Sequence, residues 1–230
     1  MICPHCAARL RRRDRSDHRC GRCGRGFVFE PHDHASRISD VRVTRAAEWL
    51  RGHDRYRYTL GQLAAAVSRR GGLPPGFHDL IRSRWPEVYG SLPAGLVDDV
   101  DRPTSPVDRP ATAHVVCPDR DVFVCLLAND VPDRLSVAVV HDGDPPPGRQ
   151  PVLVLDEPSG RLRARLAALR ASGRRALAVT PSPGSTTLVR LRPSTLVGWL
   201  DLAVAAEARF RAGARRAAAV DFLNWPAPDA

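Results

Sequence analysis

The chain has 230 residues, a formal net charge of +10 at pH 7 and a sequence pI near 10.5. This length can hold one large domain or two to three small ones. Its hydrophobic fraction of 43% and charged fraction of 26% are typical of a globular protein and exclude a disordered chain. No run of 18 apolar residues occurs, so we expect no membrane-spanning helix and no membrane partner.

The basic residues are all arginine, because the Lys+Arg count of 35 includes no lysine. Arginine in place of lysine indicates a GC-rich genome, typical of many bacteria, so the arginine total says little about function. The distribution says more: residues 1–100 carry 18 arginines and 11 acidic residues, whereas residues 101–230 carry 17 and 14. A basic front half suits a phosphate backbone, although a solvated basic face explains it equally well.

Four of the six cysteines form two identically spaced C-x-x-C pairs near the N-terminus, Cys3 with Cys6 and Cys20 with Cys23. Two such pairs separated by 13 residues have the ligand spacing of a four-thiolate zinc ribbon. Gly21 and Gly24 favour tight turns that aim backbone amides at sulfur. An incidental or disulfide-linked set of cysteines is the alternative. We predict a structural Zn²⁺ that folds residues 1–34, a segment too small to fold alone.

Three further expectations concern a closing strand of the predicted ribbon, the orientation of His5 and the cellular compartment. Residues 27–29 are apolar and predict a short closing strand. His5 lies inside the first pair and is expected to point outward, because four thiolates already complete a tetrahedron. The chain begins directly in the ribbon and leaves no room for a signal peptide, which with metal-binding cysteines indicates a reducing cytoplasm.

Residues 35–90 are predicted to form a small helical module. Apolar residues in helical spacing predict a first helix that is capped at Ser39 or Asp40 and is stopped by Gly52. The alternating residues 55–58 are a candidate short strand.

Two further helices complete this predicted module. Thr59 and Gln62 fit a capping box, which predicts a helix over residues 60–70. A third helix is predicted over residues 75–85 and is stopped by Pro86. Three short helices with a small β element favour a helix-turn-helix or winged-helix unit.

The C-terminal half predicts an α/β domain. Residues 91–112 are rich in Pro, Asp and Ser and are predicted to be a linker. Over residues 113–192, apolar strands alternate with helices: strands at 113–117, 135–141, 151–155 and 176–179, a candidate fifth strand at 188–191, and helices at 121–129 and 160–171. This rhythm predicts a mostly parallel, Rossmann-like sheet covered on both faces. Residues 193–230 are predicted to be an alanine-rich helix and a tail. The predicted fold class is multi-domain α/β.

Acidic residues follow the predicted strands. Asp142 and Asp144 come after the second strand, and Asp156 and Glu157 come after the third. Ligands bind at the carboxyl ends of parallel strands, where clustered carboxylates can hold Mg²⁺ for phosphoryl-transfer chemistry. The alternative is that short polar loops collect aspartate as turn and N-cap residues.

A winged-helix unit followed by this α/β domain resembles the DNA-cleaving subunit of type IIB topoisomerases and its bacterial defence relatives. In that family, a tyrosine-bearing winged helix precedes a Toprim domain. The segment YTLGQLAAAV at residues 58–67 is similar to the helix that carries the attacking tyrosine. Ala64 and Ala65 occupy the matching positions, so the resemblance implies that the nucleophile is missing. The resemblance covers residues 40–190.

The Toprim part of the resemblance implies a glutamate at the end of the first strand, where this sequence has Cys117 and Pro118. It also implies Asp-x-Asp followed closely by glycine after the third strand. Here Asp156 and Gly160 are present, but Pro158 stands in place of the second aspartate. With these groups replaced, the resemblance implies a DNA-handling scaffold without strand cleavage.

The leading hypothesis is a zinc-ribbon DNA-binding protein, accessory to a bacterial DNA-processing or defence complex, with an inactive Toprim-like domain. Arginines on the ribbon loops and at a helix end are expected to contact phosphates without reading bases: Arg11, Arg12, Arg13, Arg22, Arg25, Arg69 and Arg70. One alternative is a Mg²⁺-dependent nuclease that uses the four strand-end acids. Another is an assembly module whose ribbon and C-terminal helix dock a protein partner.

Overall fold

The structure, a computed structural model, describes residues 1–30, 37–68, 72–97, 111–181 and 187–223. In these residues the protein has a mixed α/β fold whose largest sheet has four parallel strands. It comprises an N-terminal unit (residues 1–30), a helical unit (37–97) and a sheet unit (111–223). None of the helices in this described part is both long and apolar enough to cross a membrane.

The N-terminal unit contains little regular secondary structure. A 3₁₀ turn at Arg12–Asp14 leads into the antiparallel pair β1 (Arg15–Ser16) and β2 (Arg19–Cys20). A buried ion pair joins Arg15 to Glu30 at the end of the unit. The small core consists of Cys3, Ala8, Leu10, Cys20 and Phe27. So few apolar residues provide little hydrophobic stabilisation, and the unit depends on other interactions.

The helical unit contains, in chain order, α1 (Asp40–Arg51), β3 (Tyr58–Thr59), α2 (Leu60–Val67), α3 (Phe77–Asp79), a π-helical turn (Leu80–Arg84), α4 (Trp85–Tyr89) and β4 (Leu96–Val97). β3 and β4 pair in parallel. As predicted, Gly52 adopts the left-handed conformation that ends α1, and Thr59 and Gln62 form the capping box that begins α2. α2 ends three residues earlier than predicted, and Arg69 and Arg70 lie outside the described residues.

The prediction that Pro86 stops the third helix is wrong. Helical backbone continues from Phe77 to Tyr89 and ends at left-handed Gly90. In a regular α-helix, proline lacks a donor and its ring clashes with the carbonyl group four residues earlier. Here the preceding turn is π-helical, and the Trp85 amide donates to the Leu80 carbonyl. The wider turn accommodates the proline without ending the helix.

The prediction of a strand at residues 27–29 is also wrong, because the amides of Val28 and Phe29 donate to a side chain and not to another strand. The carboxylate of Asp40, at the start of α1, accepts hydrogen bonds from the Val28 amide at 2.9 Å and the Phe29 amide at 2.7 Å. The Tyr89 hydroxyl donates to the same carboxylate at 2.6 Å. Asp40 is fully buried, which raises its pKa, and the three hydrogen bonds oppose that rise. Asp40 therefore connects the N-terminal unit to α1 and α4.

The sheet unit follows the predicted α/β rhythm. Its elements are β5 (Ala113–Cys117), α5 (Arg120–Ala128), α6 (Val131–Leu135), β6 (Val137–His141), β7 (Val152–Leu155), α7 (Gly160–Ala171), β8 (Ala176–Val179) and α8 (Pro193–Leu223). The four strands are parallel and lie in the order β6-β5-β7-β8. α7 covers one face of the sheet, and α5 and α8 cover the other.

The prediction of a fifth strand at residues 188–191 is wrong. Leu188–Arg190 form a 3₁₀ turn, in which the Arg190 amide donates to Thr187 and the Leu191 amide donates to Leu188. The Leu188 side chain is buried against the sheet core. The apolar residues here fill the core from a local turn, so they do not extend the sheet.

Asn129, just after α5, joins the sheet unit to the helical unit. Its side-chain oxygen accepts from the Arg57 amide at 2.8 Å, and its nitrogen donates to the Arg57 carbonyl at 2.9 Å. A Cβ atom at Gly61 would lie 2.1 Å from a carboxylate oxygen of Asp121, so a larger residue here would have to displace the Asp121 side chain, which accepts a hydrogen bond from the Gly61 amide. Of the predicted linker 91–112, the structure describes residues 91–97 and 111–112, and the first of these segments contains β4, which pairs with β3.

We expect Asp40→Ala to lower the free energy of unfolding by at least about 2 kcal/mol, because it leaves two buried amides and a buried hydroxyl without an acceptor. Urea unfolding followed by circular dichroism measures this effect. Asp79→Ala removes an exposed aspartate of the same unit and should change stability by no more than about 0.5 kcal/mol. Equal stability of the two variants would show that the Asp40 hydrogen bonds contribute nothing.

Candidate metal centre and its basic surroundings

The four N-terminal cysteines converge on one point. All four sulfur atoms lie within 4.8 Å of one another, with Cys3 Sγ 3.8 Å from Cys23 Sγ and Cys6 Sγ 3.9 Å from Cys20 Sγ. Disulfide-bonded sulfurs would be about 2.05 Å apart, so none of these pairs is bonded. Four thiolates at about 2.3 Å from a tetrahedral metal ion have sulfurs about 3.8 Å apart. The cysteines are thus spaced to bind a single tetrahedral ion.

The two C-x-x-C pairs have the same backbone conformation. In each pair the first cysteine's carbonyl accepts from the amide four residues later, Ala7 N to Cys3 O at 3.0 Å and Gly24 N to Cys20 O at 2.7 Å. Ala7 and Gly24 both have positive φ, as such a turn requires. Glycine is needed at position 21 for a different reason. A Cβ atom there would lie 2.8 Å from the Asp14 carbonyl oxygen.

Backbone amides also point at the sulfurs and prepare them for a metal. The Cys3 sulfur accepts from the amides of Cys6 and His5, and the Cys20 sulfur accepts from the amides of Cys23 and Arg22. Without a metal, burial raises the pKa of the Cys3 thiol to about 12. Burial acts in the same direction at Cys20, but its hydrogen bonds outweigh it and lower the pKa to about 7. Amide donors favour thiolate, the form that binds metal.

His5 links the metal centre to the helical unit. Its ring does not join the sulfurs but stacks on Tyr89, with ring centroids 5.2 Å apart. Tyr89 in turn stacks on Trp85 at 4.5 Å. His5 Nε2 lies 3.0 Å from the Gly26 carbonyl oxygen. The expectation that His5 points away from the metal agrees with this geometry, although its ring is packed against α4 and not surrounded by solvent.

The five arginines of this unit that were predicted to contact phosphates all lie at its surface. Their side chains are exposed, three on the loop between the cysteine pairs and two at the second pair: Arg11, Arg12, Arg13, Arg22 and Arg25. Arg13 forms an ion pair with Asp14, but at 3.9 Å this pair is long and solvent-exposed, so it contributes little to stability. Arg69 and Arg70, outside the described residues, stay a prediction.

A polar pocket of about 520 Å³ lies between the N-terminal unit and the helical unit. Its lining residues are His5, Asp17, His18, Arg19, Arg25, Gly26, Arg84, Glu87 and Val88. Arg19, His18 and Arg84 were not predicted as site residues. Arg84 in particular lies more than 50 residues beyond the N-terminal unit in the sequence, and only the packing of the two units brings it to the pocket.

The strand-end acids are not gathered into a metal site. Asp142 accepts from Arg161 at 2.7 Å and from Arg165 at 3.2 Å, and these arginines lower its pKa. Asp156 accepts from the Glu157 backbone amide. Within the described residues, which include all four of these acids, the four-cysteine group is the only set of three or more metal-type ligands close enough to share an ion.

Of the residues that the resemblance places at catalytic positions, Ala64 and Cys117 are buried, Ala65 and Pro118 are half-buried, and Pro158 is exposed. Ala64 packs in the core of the helical unit with Tyr58, whose hydroxyl donates to the Ala94 carbonyl. Cys117 and Cys125 are buried in the sheet core, and burial raises the pKa of both thiols. Both cysteines therefore act as small apolar residues, and neither is a reactive thiolate.

We expect the protein to bind one Co²⁺ per chain with the intense visible and near-ultraviolet bands of tetrahedral thiolate coordination. Spectroscopic titration of metal-free protein under reducing conditions measures the stoichiometry. Cys20→Ser should weaken binding and alter the spectrum, whereas Cys125→Ser, a buried cysteine of the sheet unit, should leave both unchanged. Loss of the bands in Cys125→Ser, or full binding by Cys20→Ser, would contradict the assigned ligands.

Comparison of the chain with protein-family models, with curated proteins and with solved structures found no match. The N-terminal unit combines a four-cysteine group that can bind one metal ion with exposed arginines, and it packs against the helical unit.

Proposed function

We propose that the N-terminal unit is a zinc ribbon and that the protein binds DNA through the basic surface around it. Four sulfur ligands at tetrahedral spacing are typical of Zn²⁺, with iron as the other metal that such a site accepts. Four protein ligands leave no open position for a reactant, so the zinc would be structural. Cys3 and Cys20 are buried, and Cys6 and Cys23 lie at the surface.

The charge around the cysteines carries the DNA-binding part of the proposal. Residues 1–30 contain eight arginines and three acidic residues, a surplus of +5. Four thiolates and one Zn²⁺ reduce this surplus to +3. The five predicted arginines are exposed and two of the four cysteines are buried, so the surface keeps a basic surplus although the centre is anionic. Such a surface suits phosphates and makes binding dependent on salt.

We propose that the sheet unit serves as a scaffold, in line with its resemblance to a Toprim domain without catalytic groups. The ion pairs of Asp142 and the absence of a gathered acidic site among the described residues support this. α8 supports an accessory role with a protein partner. This helix has 31 residues, and it exposes Leu202 and Phe210 by 68% and 54%.

The proposed function predicts that duplex DNA binds with an affinity that falls as salt rises. We expect Arg11→Ala/Arg12→Ala/Arg13→Ala to weaken binding and to lower the slope of log affinity against log salt by up to about 3, because up to three phosphate contacts are lost. Fluorescence anisotropy over a series of salt concentrations measures both quantities.

The control is Arg134→Ala/Arg163→Ala/Arg209→Ala, which removes three exposed arginines from the sheet unit and the same total charge. Its affinity and salt slope should match those of the wild type. Equal losses in the two triple variants would show only a net-charge effect, and no binding by the wild type at low salt would refute the proposed function.

A further inference from the structure

The pocket between the N-terminal unit and the helical unit is built from residues far apart in the sequence. Gly26 and Val88 both line it, and a Cβ atom at Gly26 would lie 3.7 Å from Val88 Cγ2. The N-terminal unit contributes Arg19 and Arg25 to the lining, and the helical unit contributes Arg84. A volume of about 520 Å³ falls within the range of ligand-binding pockets, about 300–1,000 Å³.

Arg84 holds a buried hydrogen-bond donor at this pocket. Its Nε–H is shielded from solvent and has no hydrogen-bond acceptor among the described residues. Buried donors in folded proteins are nearly always paired with protein, water or ligand. Arg84 is the last residue of the π-helical turn, and the next residue, Trp85, is buried. The backbone from which the Arg84 side chain extends is therefore held in place. π-helical turns often occur at functional sites.

The charged residues that line the pocket have a small positive surplus. Three guanidinium groups line it together with two carboxylates, those of Asp17 and Glu87, which are both exposed. Within the described residues neither acid forms an ion pair with Arg84, so its guanidinium can bind another anion. Arg19 Nη1 donates to the Gly24 carbonyl at 3.2 Å, which fixes its position without neutralising its charge. Guanidinium groups bind phosphate oxygens through paired, charge-assisted hydrogen bonds.

We propose that this pocket is a phosphate-binding site in which Arg84 is the innermost contact and Arg19 and Arg25 are the outer contacts. We further assign the phosphate to a nucleic-acid backbone, and this assignment rests on the proposed function. Arg25 lines the pocket and also belongs to the exposed basic surface. A nucleic-acid strand bound to that surface at Arg25 would therefore lie next to the pocket. A carboxylate of an acidic peptide is the competing ligand and is distinguished by the test.

Nuclear magnetic resonance of the arginine Nε–H groups tests the site directly on ¹⁵N-labelled, zinc-loaded full-length protein. The Arg84 signal is identified by its loss in Arg84→Gln. Inorganic phosphate should shift this signal saturably, while chloride at equal ionic strength should not, and the Arg163 signal of the sheet unit should stay in place. A phosphate response no larger than the chloride response, or a response to oligoglutamate alone, would overturn the phosphate site.

Duplex DNA tests the nucleic-acid assignment. Arg84→Gln should weaken DNA binding several-fold and lower the salt slope by about 1, and the matched Arg163→Gln should do neither. Normal Co²⁺ stoichiometry in Arg84→Gln confirms that the metal centre is intact. If wild-type protein binds DNA and Arg84→Gln binds equally well, the assignment fails while the proposed function stands. If phosphate shifts the Arg84 signal but no DNA binds, the proposed function fails while the phosphate site stands.

Discussion

The position of the metal-binding unit depends on one buried carboxylate. Asp40 accepts hydrogen bonds from the two amides that end the N-terminal unit and from Tyr89 at the end of α4. A buried carboxylate is costly unless donors surround it, and here backbone and side chain provide three. Because those donors come from separate parts of the chain, their convergence fixes the N-terminal unit against the helical unit. The pocket between the units exists only in that arrangement.

The metal centre and the Asp40 contacts stabilise different parts of the N-terminal unit. Its own core has only five buried residues, two of them cysteines, so apolar burial alone leaves it marginal. A bound ion would hold the two cysteine pairs together, whereas Asp40 and the His5 stack hold the unit on α4. Rigid attachment would favour the proposed binding of DNA, since binding would then order fewer side chains and loops.

Local signals in the sequence predicted local structure well. The Thr59 capping box, the left-handed Gly52 and the bounds of α7 and β8 all depend on neighbouring residues, and the cysteine spacing likewise identified the four converging sulfurs. The errors arose where tertiary contacts decide the outcome. Residues 27–29 have strand-like composition, but Asp40 takes their hydrogen bonds. Nothing in the sequence around Arg84 indicates that this residue lies beside the pocket. The positions of the strand-end acids likewise do not indicate that Asp142 forms ion pairs with arginines of α7.

The π-helical turn before Pro86 has a consequence for how the chain can vary in length. Aromatic or aliphatic side chains recur at every fourth position, Phe77, Ile81, Trp85 and Tyr89. In a uniform α-helix each such step drifts by about 40°, so three steps would carry the last ring about 120° around the axis. One widened turn reduces that drift and keeps Tyr89 on the side where Asp40 and His5 lie. Deletion of a single exposed residue of this turn, such as Ser83, would restore regular α-helical winding, and the remaining eleven steps of about 100° would leave Tyr89 within about 20° of the side of Phe77. The widened turn thus absorbs one extra residue, and the helix can lose that residue while Tyr89 stays on the side where Asp40 and His5 lie.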